Sequence, residues 1–203
     1  MILIGRYLSP FVRRSATLLN LAGVEFEQKV VMTDEIEELS KYNPLLRVPA
    51  LQLDDDEIII DSHAIIDYVL SEHDPDHSVC PAAGPERREA MRISAIAVGA
   101  MEKLLVSAYE RSQRPKELVH QPYREKVLGQ AAGGFAELEA LAEGVTFFGG
   151  EQPNLADVNA VVAYDFGMIV APKTVEEAAL EHLPALAARA NELPAFAATK
   201  WQG

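Results

Sequence analysis

Three short stretches in the first third of the chain carry residues suited to holding an anionic, peptide-like molecule. Ser9 stands directly before Pro10-Phe11, where helical spacing begins. A hydroxyl there can accept a backbone N–H of the first turn. It can equally donate a hydrogen bond to an anion, backed by the positive end of the helix. The second stretch, Asn43-Pro44-Leu45-Leu46-Arg47-Val48-Pro49-Ala50-Leu51, puts a Val-Pro pair at the mouth of a short strand. Such a pair can offer the Val backbone to an extended ligand as an added strand would, or simply mark an edge strand. The third, Asp61-Ser62, opens a helix whose N–H groups and hydroxyl suit a carboxylate. Alone, it is also a good helix start. Lys41 and Arg47 are basic loop residues, either solvated or facing a carboxylate.

The elements that must position these residues alternate over residues 1–73. Met1 to Arg6 is a short apolar run fit for a buried strand. Pro10 to Ala22 has helical spacing (Phe11, Ser15, Leu18, Ala22), with Ser9 as N-cap, Pro10 at the first helical position and Gly23 as its stop. Phe26 to Val31 reads as a strand and Asp34 to Tyr42 as a short acidic helix. Val48 to Leu53 and Glu57 to Ile60 bracket Asp54-Asp55-Asp56, a hairpin signal, and Ser62 to Glu72 is the closing helix. His63 falls on an exposed helix face. Periodicity by itself gives a small α/β unit.

A stretch dense in Pro, Asp, His and Gly follows, and beyond it the patterns are helical. Glu86 to Arg111 places Met91, Ala95, Val98, Met101, Leu105 and Ala108 on one stripe. A second helix runs from about Pro115 to Glu143 with Val127, Ala131, Phe135, Leu138 and Ala142 inward. A third starts at Asn154, with Leu155, Val158, Val161, Val162 and Ile169 apolar. Asn154 and Asp157 have the spacing of a capping box, each side chain serving the other's backbone N–H. Pro172, Pro184 and Pro194 divide the tail into short helices, and Trp201 is placed to anchor its end.

The 203 residues carry 31 acidic against 18 basic side chains, a formal charge of −13. Phosphate neutralisation needs a basic surface, so no nucleic-acid partner is expected. No apolar run approaches the ~20 residues of a membrane span, and the start lacks the pattern of an export signal. No membrane partner and a cytoplasmic location are therefore expected. Cys80, the single cysteine, allows neither an internal disulfide nor a cysteine-based zinc site, and the five histidines lack ligand spacing. No metal is expected.

Three motifs follow one another in order: Ser9-Pro10-Phe11 leading to Arg13 and Gly23; Val48-Pro49 with Asp61-Ser62; and Phe148-Gly149-Gly150 followed by Asn154-Leu155-Ala156-Asp157. With them the chain resembles the glutathione transferase family over essentially its whole length, and within it the serine-type, bacterial-like cytosolic classes. The resemblance implies an α/β plus all-α fold. A thioredoxin-like glutathione-binding domain would span 1–74, a linker 75–85, and an all-helical domain with the second-substrate site 86–203. It implies glutathione as co-substrate, a small electrophile as the other substrate, a role in detoxification and a homodimer. Leu45 and Leu46 could supply an apolar contact across the two-fold axis or pack inward.

On this likeness Ser9 is the catalytic residue. An ordinary thiol, pKa ~8.5, is only a few per cent ionised at neutral pH, and lowering it by ~2 units takes ~2.7 kcal/mol. One hydroxyl hydrogen bond to sulfur beside a helix N-terminus is of that size. Tyr7 is the rival, because other classes use a Tyr at the end of the first strand; otherwise it lines the pocket. Arg13 could orient the thiol-binding loop or pair with a surface acid. The family holds the proline corresponding to Pro49 cis, which would leave Val48 to pair with the cysteinyl backbone. Ser62 would bind the γ-glutamyl carboxylate and Asp61 the ammonium group, with Lys41 and Arg47 at the glycyl carboxylate. Phe11, Met101, Leu105 and Tyr109 would line the second-substrate pocket. Without a Cys at position 9, thiol–disulfide and dehydroascorbate chemistry should be poor. A Ser-Ser-Cys opening is absent, which weakens a glutathione-dependent isomerase reading. The rival of a different kind is a non-catalytic interaction module on the same fold.

Overall fold

Four very short strands make the only sheet in this protein, for which a computed structural model describes residues 1–203. The apolar run Ile2–Ile4 forms β1 and is ended by Gly5, whose φ of 124° suits glycine alone. The chain then turns into α1, Pro10–Leu21. The helix stops as a Gly-terminated helix should: Gly23 N–H donates to Asn20 O at 3.1 Å and Val24 N–H to Leu19 O at 2.9 Å. This crossover returns the chain to β2, Glu27–Lys29, parallel to β1. A short α2, Ile36–Leu39, and a loop lead to β3, Ala50–Gln52, antiparallel to β1. A tight turn through Asp54-Asp55-Asp56, with Asp56 at φ 68°, leads to β4, Ile58–Ile60. The spatial order is β2-β1-β3-β4, and α3, Ser62–Glu72, follows.

The register of this sheet decides what it can position. Ile4 faces Ala50, and Ala50 faces Ile60. The chain leaving β1 toward Ser9, the chain entering β3 from Pro49 and the chain leaving β4 toward Asp61 therefore share one end of the sheet. Ile4, Val31, Leu39 and Ala50 form a buried cluster flanked by Ile2, Tyr42, Leu46, Val48, Ile58 and Ile60. Leu3 and Leu51, the alternate residues, are fully buried as well, and α1 and α3 pack against each other and against the strands.

By packing, the chain divides into residues 1–82 with 191–203, and residues 83–190. The helical range expected for 86–203 thus runs too far, and the physical reason lies in the tail. The first unit takes back α9, Pro194–Ala197, whose Phe196 is fully buried. Thr17 and Thr199 hydroxyls meet at 2.7 Å, and Asn20 Nδ2 donates to Ala195 O at 3.3 Å. Trp201 does hold the end: the Arg6 guanidinium lies 5.9 Å from its ring centre.

The second unit is helical. In it α4, Gly84–Ser112, packs against both α5, Gln121–Ala142, and α6, Leu155–Val170; α7, Pro172–Glu176, and α8, His182–Glu192, follow. Val127, Ala131, Phe135, Leu138 and Ala142 are the buried face of α5, as their spacing predicts. On α4 the buried face is wider than the predicted stripe: its Val98 and Met101 are buried, but so are Ile93, Ala97, Ala100 and Leu104, and Ala95 is exposed. Two helices cover α4, so a single-stripe reading does not find its full width. Ile169 is 46% exposed near the end of α6 and leaves the apolar set. The Asn154–Asp157 capping box is present. Buried Asp157 also accepts the N–H groups of Phe148 at 2.8 Å and Gly149 at 3.0 Å, folding the preceding loop onto the helix start. No helix is long and apolar enough to cross a membrane.

Candidate functional site

At the shared end of the sheet, Gly5 is the point of closest approach. A Cβ on it would lie 2.6 Å from Val12 Cγ2 and 2.9 Å from Val48 Cβ. Only a residue without a side chain lets the first turn of α1 and the Val48 loop close on β1 together.

Ser9 caps α1. Its Oγ accepts the Val12 N–H at 3.4 Å, long for such a bond. Accepting leaves the hydroxyl its own proton to donate. Tyr7 is half-buried, and burial pushes its phenol above the ordinary value, so it stays protonated at neutral pH. Phe11, in the same first turn, is also half-buried.

The loop ahead of β3 is shaped by buried Asn43. Its Oδ1 accepts the Leu45 N–H and its Nδ2 donates to Arg47 O, each at 2.9 Å. Leu46, at φ 54°, turns inward, whereas Leu45 is 67% exposed. The Val48-Pro49 peptide bond is cis. Arg47 is exposed, and its charge reaches Asp61. Lys41 is instead paired with Glu38, which also accepts from Lys29 at 2.6 Å; Lys29 in turn donates to Tyr42 OH at 2.7 Å. These two ammonium groups hold the Glu38 carboxyl down at about 2. The arrangement pins α2 to β2 and leaves Arg47 as the better placed of the two basic candidates.

Asp61 takes the N-cap of α3 at φ 73°. Its carboxylate accepts the His63 N–H at 2.9 Å and lies 3.1 Å from His63 Nδ1. Burial works to raise its pKa, but the His63 contacts and the Arg47 charge outweigh it and keep the group below its ordinary value. Asp61 is therefore an anion at neutral pH. Ser62 is 2% exposed, and its Oγ accepts a hydrogen bond from Arg14 Nη1 at 3.1 Å. Arg14, like Asn43, was missed as a functional candidate. Its spacing from Pro10 and Leu18, one turn either way, could have shown it on the buried face.

This geometry places a hydroxyl, a strand-like backbone edge and an ionised helix start around one end of a small mixed sheet. Comparison with known sequences bears on what it serves. A sequence model of the glutathione S-transferase N-terminal domain matches residues 3–77, and one of the C-terminal domain matches residues 98–194. The chain belongs to the glutathione transferase family. It is 34% identical over 135 residues to the GST-like protein YibF of Escherichia coli K12, covering 62% of this chain and 63% of that protein. With a glutathione S-transferase of Triticum aestivum the identity is 29% over 165 residues, covering 77% and 73%. The fold matches the crystal structure of a glutathione S-transferase from Methylobacterium radiotolerans, in complex with glutathione sulfonate. There the TM-score is 0.90 and the identity 24%, over 98% of this chain and 93% of that one. The sheet and its helices are thus the thioredoxin-like half of a glutathione transferase fold.

The α4 residues that the family resemblance implied for a second-substrate pocket differ in exposure. Met101 is fully buried, so it is packed core and not an open wall. Leu105 is half-buried and Tyr109 is 44% exposed, leaving these two accessible.

Proposed function

We propose that this member of the family is an active glutathione transferase that binds glutathione as co-substrate at the shared end of the sheet. The γ-glutamyl ammonium would meet Asp61 and its carboxylate the start of α3 at Ser62. The cysteinyl backbone would run along Val48-Pro49, and the glycyl carboxylate would lie toward Arg47. Ser9 would donate its hydroxyl proton in a hydrogen bond to sulfur, favouring loss of the thiol proton to solvent. The thiolate lone pair then forms a C–S bond to a small electrophile, while the bond to the leaving group breaks and that group departs to solvent with the bonding pair, as halide from an aromatic halide. Tyr7 and Phe11 would line the pocket beside it. A homodimer in the cytoplasm, with exposed Leu45 reaching the partner, belongs to the same reading.

The observation that carries this proposal is the row Ile4, Ala50, Ile60, which brings three motifs far apart in sequence to one place. Calorimetric titration with glutathione at neutral pH tests it. Saturable binding near one tripeptide per chain is expected, weakened about 10- to 100-fold in Asp61→Ala, as for loss of a charged hydrogen-bond partner. No heat at millimolar ligand would overturn it and favour the interaction-module reading.

A further inference from the structure

We propose that Arg14 is a positioning residue for the γ-glutamyl carboxylate, acting through Ser62; this rests on the glutathione site proposed above. A guanidinium has only donors and keeps its charge at any working pH. Because Arg14 Nη1 donates to Ser62 Oγ at 3.1 Å, that oxygen is fixed as an acceptor on the Arg14 side. The single hydroxyl proton of Ser62 is then left for another acceptor. An anion at the start of α3 is such an acceptor, and the guanidinium polarises the O–H toward it.

Burial makes the effect large enough to matter. Arg14 is 3% and Ser62 2% exposed, so water screens little of the charge between them. Arg14 stands behind the first residue of α3. The N–H groups at the helix start, the Ser62 proton and the Arg14 charge all favour one negative group. Arg14 need not touch the ligand, which sets its role apart from that of Ser62.

The test is a double-mutant cycle read by calorimetry on wild type, Arg14→Met, Ser62→Ala and the double variant. Each is titrated with glutathione and with γ-aminobutyryl-cysteinyl-glycine, which lacks only the γ-glutamyl α-carboxylate. Each single substitution should weaken glutathione binding about tenfold, and the double variant should bind no more weakly than Ser62→Ala. The truncated tripeptide should bind all four proteins within about twofold. Additive losses, or an equal loss with both ligands, would overturn the proposal, because a merely structural Arg14 would affect both alike. If Arg14→Met does not fold, Arg14→Lys replaces it in the cycle. Its smaller loss must again be confined to glutathione and vanish beside Ser62→Ala, or the proposal falls. A wild type that binds neither tripeptide would overturn the site reading itself, whereas an additive cycle on a binding wild type overturns only the role of Arg14.

Discussion

Replacing Ser9 by Ala separates its two possible duties, because they differ in size and in observable. As a cap, Ser9 supplies one acceptor to the Val12 N–H at 3.4 Å. A bond that long belongs at the low end of capping values, about 0.5 kcal/mol. For a chain of this length that loss lowers Tm by about 1–2 °C. As a thiolate stabiliser, Ser9 would hold the bound thiol about 2 units below its free value. At pH 7 a thiol of pKa ~6.5 is about 76% ionised and one of ~8.5 about 3%, so Ser9→Ala should lower turnover about 25-fold. The assay is initial rate against a generic aromatic halide at saturating glutathione, followed across pH 5.5–9. The pH midpoint of kcat should rise by about 2 units in the variant, while the maximal rate at high pH falls far less. Unchanged turnover and midpoint, with only the small fall in Tm, would reduce Ser9 to a cap. If Tyr7→Phe then silenced the protein, thiol activation would pass to Tyr7, whose phenol stays protonated and able to donate.

Two further outcomes concern stability. Asp157→Ala strips the partner from the N–H groups of Phe148, Gly149 and Asn154 at once, and should cost about 3–5 kcal/mol in urea unfolding. A loss under 1 kcal/mol would show that water replaces the carboxylate. The Glu38 cluster predicts an acid dependence. The folded-state pKa of about 2 lies below the unfolded value near 4.5, so its contribution is complete above pH 4.5 and fades as pH falls toward 2. The stability gap between wild type and Glu38→Gln should close over that window, and a gap independent of pH from 6 to 2 would refute the assignment.

Where apolar spacing and caps are regular along an element, the sequence states the result. The α5 stripe from Val127 to Ala142 and the Ser62–Glu72 helix can be read from spacing and caps alone. The motif at Val48-Pro49 likewise names its place. Where two neighbours compete, or a polar group does the burying, spacing misleads. The buried face of α4 is wider than one stripe because α5 and α6 both cover it, and Glu110 is buried because it accepts the His120 N–H at 3.0 Å and pairs with Arg114. The helix predicted over Asp34 to Tyr42 shrinks to Ile36–Leu39, whose N-cap position, Glu35, makes no side-chain cap bond. At the candidate site, residue types were legible but alliances were not. Nothing in sequence says that Lys41 is held by Glu38, or that Ser62 is held by Arg14 from α1.

The return of the tail onto α1 also sets an order of events during synthesis. Thr17 and Thr199 are 182 residues apart in the chain, yet their hydroxyls share a hydrogen bond, and α9, with its buried Phe196, packs against α1. A ribosome delivers the sheet, α1 and α3 early, but the segment that closes them emerges only after all of residues 83–190. The thioredoxin-like half must wait, with part of its apolar surface uncovered, while the helical half is made. A unit begun before residues 83–190 is thus completed only after them, and premature termination anywhere in the helical half would leave it open.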